Sequence, residues 1–229
     1  MIYFFADDHY ETHAGRTIFE DGDQAWTGQT IFRENDWSLL ESGDWTADCG
    51  LLILHLIGGS SGQIHPGPGA EARVRHYLDA GGNILLLHGA SAAFWQWPWW
   101  RKIVGLRWVR PDDPDGMAAS VHPHVSCALR IAKVRHPLAA QLCEGELPED
   151  ELYTELEQTA PLTILIHAVT ATGIFPQMAE TVTPAGGRIL SFLPGHAREC
   201  ATHPVIRRNV AAAIADLRQA QSSIRPPRR

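Results

Sequence analysis

Three short apolar runs, each closing on a cluster of Gly, His or Asp, constrain this chain more than any other feature. Ile2 to Ala6 runs into Asp7-Asp8-His9, Leu51 to Ile57 into Gly58-Gly59-Ser60-Ser61-Gly62, and Ile84 to Leu87 into His88-Gly89. Near-continuous hydrophobicity without alternation is what a strand covered on both faces needs. Between the second and third runs, Ala70 to Ala80 carries Val74, Tyr77 and Leu78 at helical spacing and stops at Gly81-Gly82. Strand, helix and strand at this spacing predict a βαβ unit, hence a parallel pair with a right-handed crossover. Leu162 to His167 and Ile189 to Leu193 read as further strands. Pro204 to Leu217 reads as a helix with Ile206, Val210, Ile214 and Leu217 on one face. Residues 105 to 160 are interrupted by Pro and Gly and read as loops and shorter strands. The expected architecture is α/β, a mostly parallel sheet with helices on both faces.

Length and composition fit that reading. A chain of 229 residues suits one large α/β domain, expected over residues 1–220, with residues 221–229 as a disordered basic tail. The net charge of -7 leaves no basic footprint for nucleic acid or an anionic membrane. No apolar run reaches membrane-spanning length, and the N-terminal run lacks a preceding positive charge, so it reads as a first strand rather than a signal peptide. A cytoplasmic location is expected. The four cysteines, Cys49, Cys127, Cys143 and Cys200, form no CxxC pair and read as buried reduced thiols.

In open α/β sheets ligands bind outside the carboxyl ends of the strands. That rule gathers His9, His13, Gly58, Gly59 and His88 at one edge. Leu87-His88-Gly89-Ala90-Ser91 has the form of a nucleophile elbow, a sharp turn that holds a side chain above the sheet. Its residue is His88, which suits a general base, a metal ligand or a polar contact rather than acyl-enzyme chemistry. The Gly58 to Gly62 loop matches neither GxGxxG nor a P-loop; its N–H groups suit an oxyanion or a sugar hydroxyl as well as they suit a plain turn. His196 ends a strand in Leu193-Pro194-Gly195-His196, and His122 and His124 flank Pro123 on one face of an extended segment. Twelve histidines permit a divalent metal, zinc or manganese, although no pair has a diagnostic ligand spacing. Phe94, Trp95, Trp97, Trp99 and Trp100 form an aromatic cluster, for which core outweighs a sugar platform. Glu151, Tyr153, Glu155 and Glu157 alternate with Leu152 and Leu156, as an acidic strand face or a solvated one.

Taken in order, several stretches resemble the ThuA-like (trehalose-utilisation) family, relatives of class I glutamine amidotransferases. They are Gly81-Gly82-Asn83-Ile84-Leu85-Leu86-Leu87-His88-Gly89-Ala90, Trp97-Pro98-Trp99-Trp100, Val104-Gly105, His122-Pro123, Asp150-Glu151-Leu152-Tyr153, Gly186-Gly187-Arg188-Ile189-Leu190 and Leu193-Pro194-Gly195-His196. The resemblance implies a flavodoxin-like sheet in the amidotransferase layout, with His88 where the amidotransferases keep a catalytic Cys and His196 as the late histidine. No cysteine lies at the elbow, so glutamine hydrolysis through a thioester is not expected.

The family's association with disaccharide and keto-sugar catabolism implies a small-molecule sugar as substrate. In an enzyme of this kind His88 and His196 would shuttle protons and Glu151 would act as an acid or orient a histidine. His13, His122 and Tyr153, with Gly59 and Trp95, would bind the sugar, and a divalent metal could polarise its carbonyl. The competing readings are a non-catalytic sugar-binding or regulatory domain and a metal-dependent hydrolase. Homo-oligomerisation is left open.

Overall fold

A computed structural model describes residues 1–59 and 62–224. Its strands are β1 (Ile2–Ala6), β2 (Thr30–Glu34), β3 (Leu51–His55), β4 (Ile84–Leu87), β5 (Leu106–Arg107), β6 (His124–Ile131), β7 (Gly145–Glu151), β8 (Glu157–Gln158), β9 (Thr163–Val169), β10 (Ile174–Val182) and β11 (Arg188–Phe192). Nine of them form one sheet in the order β2-β1-β3-β4-β11-β10-β9-β6-β7, and β5 pairs with β8 apart from it. From β2 to β11 every pairing is parallel. From β11 to β7 every pairing is antiparallel. The fold is mixed α/β; the flavodoxin-like parallel half carries the expected strands β1, β3, β4 and β11 in adjacent places, and the expected strand Leu162 to His167 is β9 of the antiparallel half.

The side-chain period of a strand divides the core in two. On β4, Leu85 and Leu87 join one cluster, with Phe4, Ile53, Leu190 and Phe192. Ile84 and Leu86 join the other, with Phe5, Leu52, Leu54 and Ile189. The helix Pro204–Ile224 covers the first face with Ile206, Val210, Ile214 and Leu217, each almost wholly buried and worth about 1.5–3 kcal/mol of apolar burial. The helix Pro68–Asp79 covers the second with Val74, Tyr77 and Leu78. Phe94, Trp97 and Trp100 are buried in that same second core, as the aromatic-cluster reading expects, whereas Trp95 stays outside it.

The stretch 105 to 160 is more regular than its sequence suggests. β6 presents Val125, Cys127, Leu129 and Ile131 toward the core, and β7, GELPEDE, is a seven-residue strand with one apolar inward residue, Leu147. β7 owes its conformation to the β6 ladder rather than to its own residues, and its Pro148 is tolerated because β7 is an edge strand. The alternation from Glu151 to Glu157 is not one strand face: β7 stops at Glu151, Glu155 is exposed at positive φ, and Glu157 returns in β8 beside Arg107. The last helix continues past Leu217 to Ile224, through residues 221–224 of the expected tail; Arg225 to Arg229 lie outside the described residues. Among the described residues no helix is long and apolar enough to cross a membrane.

Candidate functional site

β4 ends in a single 3-10 turn, His88–Ala92, and the turn begins with His88 at φ +44°. A β-substituted residue held at positive φ is strained and persists only where its surroundings enforce it. They do so here: a Cβ on Gly89 would lie 2.5 Å from Ile57 Cγ1, so only glycine lets the chain turn this tightly against the end of β3. The elbow is real, and it delivers an imidazole.

His88 is wholly buried. Its Nδ1 donates to the carbonyl of Leu193 at 2.9 Å, which turns Nε2 toward the cluster. Around that nitrogen stand His196 Nδ1 at 3.1 Å, the Tyr153 hydroxyl at 3.3 Å and Glu151 Oε2 at 3.5 Å. His196 is positioned through its backbone, because Asp150 accepts from the N–H groups of His196 at 2.9 Å and Ala197 at 3.0 Å. Glu151 links an inner pair of histidines to an outer pair: Oε2 faces His88 and His196, while Oε1 lies 3.2 Å from His122 Nδ1 and 3.8 Å from His124 Nε2.

Charge in this cluster follows from burial and neighbours. Burial would raise the Glu151 carboxyl, but the hydrogen bond from His88 and the adjacent His196 and His122 outweigh it and hold it down to about 2. Burial, then the neighbouring His88, pushes His196 down to about 4, so it is a neutral imidazole at pH 7. Burial, reinforced by the charge on Glu151, raises the Tyr153 phenol well above its usual range and keeps it a donor.

Beneath the elbow lies a second carboxylate and histidine. Asp7 Oδ2 accepts from the N–H groups of Ile57 at 2.9 Å and Gly58 at 2.8 Å, and Oδ1 accepts from His9 Nδ1. His9 is 1% exposed, and its Nε2 has no hydrogen-bond partner. Its ring stacks 6.2 Å from His88, at an interplanar angle of 13°. His55, buried below both, stays neutral because burial drives its pKa down. Among the described residues two groups can offer convergent ligand atoms within 4.8 Å: His9, His88 and His196 inside, and His122, His124 and Glu151 at the rim.

Above the cluster opens a cavity of about 770 Å³. Glu151, Tyr153 and His196 form its floor, and Tyr10, Trp108 and Arg110 part of its wall. Arg110 donates to the Gly58 carbonyl at 2.9 Å and lies 5.1 Å from the centre of the Trp95 ring, with its Nε unpartnered and its pKa lowered by burial.

The structure thus brings together His88, His196, Glu151, Tyr153 and His122. It does not bring in His13, which is half-exposed and bonded to Glu34 at 3.1 Å. Nor does Gly59 line the cavity: it sits at φ +61° where a Cβ would collide with the His65 ring, and the neighbouring Gly58 N–H is already taken by Asp7. Trp95 supports Arg110 from behind. Sequence reasoning passed over Asp7, Asp150 and Arg110. Asp7 and His9 were visible as two same-side polar residues after β1, whereas Arg110 comes from an irregular loop with no periodic signal.

The ThuA family, described as trehalose utilisation, matches residues 9–215. The fold is similar to that of a ThuA-like protein from Parabacteroides merdae ATCC 43184, with 17% identity, a TM-score of 0.72, and coverage of 94% of this chain and 88% of that one. A ThuA-like protein from Bacteroides uniformis ATCC 8492 is similar at 13% identity and TM-score 0.61, covering 94% and 89%. A cytoplasmic protein from Salmonella typhimurium is similar at 12% identity and TM-score 0.60, covering 94% and 98%. Likeness at these identities speaks for the fold alone. No curated protein matches the chain.

Proposed function

The chain belongs to the ThuA trehalose-utilisation family, and from that premise we propose that it is an enzyme of carbohydrate catabolism that converts a sugar or keto sugar by proton transfer, without amidotransferase activity. Family membership supports the carbohydrate-related role. The observation that carries the chemistry is the elbow itself, which turns a strained His88 onto Glu151, His196 and Tyr153 at the floor of a cavity of sugar size.

A keto sugar has an acidic C–H beside its carbonyl. Glu151, ionised and at the cavity floor, takes that proton, and the Tyr153 hydroxyl donates to the oxygen on which charge develops. Return of the proton to the same or the adjacent carbon gives an epimer or an isomer. Expulsion of a leaving group from the next carbon gives an elimination. His88 and His196 orient the Glu151 carboxylate, and Trp108 and Arg110 offer a ring face and N–H donors to the sugar.

The test is incubation with 3-keto-glucosides followed by NMR. Turnover by the native protein is expected, and Glu151→Gln should lower it by about 10²–10⁴-fold, the range of a lost general base. Saturable sugar binding with no product from the native protein would overturn the enzymatic reading in favour of a sugar-binding domain.

A further inference from the structure

We propose that His9, His88 and His196 bind a single divalent metal ion of the zinc class, with the open coordination position facing the cavity. The use of that ion on a carbonyl rests on the keto-sugar reading above; its binding does not.

Two of the three imidazoles have their outer nitrogens already committed. His9 Nδ1 is held by the Asp7 carboxylate, and Asp7 is itself fixed by the N–H groups of Ile57 and Gly58. His88 Nδ1 is held by the Leu193 carbonyl. Metal-ligating histidines characteristically donate their other nitrogen to a carboxylate or a backbone carbonyl, which fixes the tautomer and leaves a basic lone pair for the ion. Here both kinds of outer partner are present and the two lone pairs point inward.

Without a cation the centre is poorly matched. His88 Nε2, His196 Nδ1 and Glu151 Oε2 converge within 3.1 to 3.7 Å of one another. His9 Nε2 is buried with no partner, a cost of about 1–3 kcal/mol for a polar atom of this kind. One ion shared by the three rings would give that nitrogen a partner and draw on the other two. Spacing agrees: ligand nitrogens about 2.0–2.1 Å from a tetrahedral zinc lie about 3.3 Å apart, His88 Nε2 and His196 Nδ1 are 3.1 Å apart, and the third ring brings a nitrogen within 4.8 Å. Three imidazoles with an open fourth position form a catalytic rather than a structural zinc set. An ion there would polarise a bound keto oxygen, leaving Glu151 to move the proton.

The experiment uses the full chain, purified without a His tag and stripped with chelator. Isothermal titration with zinc is expected to give one equivalent bound, and cobalt is expected to give the visible bands of a tetrahedral site. His9→Ala should weaken zinc binding by more than about 100-fold, beyond the effect of losing an outer partner. His196→Ala, at the cavity floor where folding is less at risk, should do the same, while His124→Ala should leave one equivalent bound. Absence of zinc binding, retention of it in both His9→Ala and His196→Ala, or its loss in His124→Ala would overturn the site. Keto-sugar turnover that persists in chelator would remove the ion and leave the enzymatic reading intact. Stoichiometric zinc without turnover would do the reverse.

Discussion

Replacing Asp7 by Asn tests whether the carboxylate beneath the elbow sets the inner histidines. Asp7 is buried, and its two oxygens take three hydrogen bonds, from His9 Nδ1, Ile57 N–H and Gly58 N–H. Asparagine keeps the shape, and its carbonyl oxygen can go on accepting from the two backbone groups. Its NH₂ then faces His9 Nδ1, which must become an acceptor, so the ring changes tautomer and Nε2–H points at His88 and His196. Hydrogen bonds to a charged group contribute about 1.5–3 kcal/mol each and neutral ones about 0.5–1.5 kcal/mol. Weakening three bonds by about 1 kcal/mol apiece therefore costs about 3 kcal/mol. In a chain of 229 residues this corresponds to a fall in Tm of about 6–12 °C. Long-range ¹H–¹⁵N correlation spectra of the imidazole rings, with His9 assigned by its loss in His9→Gln, report the tautomer directly. Thermal unfolding reports the stability. The expected result is an Nε2–H tautomer at His9 with the lowered Tm. A native tautomer at an unchanged Tm would refute the account of how this site is held.

Two further outcomes follow from buried groups away from the cavity. Arg188 on β11 donates to Glu180 on β10 at 2.7 Å and to Asp216 on the last helix at 2.5 Å, so Arg188→Met strips the nearly buried Asp216 of this partner, leaves Glu180 with His136 at 3.2 Å, and should cost about 3–5 kcal/mol by urea unfolding. Burial raises the Cys49 thiol to about 12, the Cys127 thiol to about 11 and the Cys200 thiol further. At pH 8, well below these values, all three stay protonated, so a disulfide-exchange reagent should find only half-buried Cys143 in the folded protein and all four thiols in urea.

The legible parts of the fold were those whose burial is symmetric. β1, β3, β4 and β11 are apolar on both faces and read directly from the sequence. The two long helices were legible too, since each packs one stripe on one core. Of the antiparallel half only β9 was legible, as Leu162 to His167, because the other strands are specified by their partners. β10 contains Pro176 and the buried Gln177, whose amide donates to the Tyr153 carbonyl at 2.9 Å, and its register slips at that point. Within the site, His88 and His196 were visible as polar residues closing strands. The strand-end rule also placed His9 at the same edge as His88; what it could not give is the anchoring of the His9 ring by Asp7, which leaves no periodic trace.

The elbow therefore differs from an amidotransferase's by more than one residue. Acyl transfer needs a nucleophile at the turn and free N–H groups nearby for the oxyanion. Here the N–H groups of Ile57 and Gly58, which end the neighbouring strand, are both consumed by Asp7. The carboxylate that takes them is buried close under the elbow, where a second negative charge would be repelled rather than stabilised. Replacing His88 by Cys would thus restore a thiol to a place with no oxyanion site at these two groups. The same carboxylate fixes the His9 ring through Nδ1. A single buried aspartate thus occupies the Ile57 and Gly58 N–H groups and sets the His9 ring at once, so Asp7 shapes this site as much as His88 does.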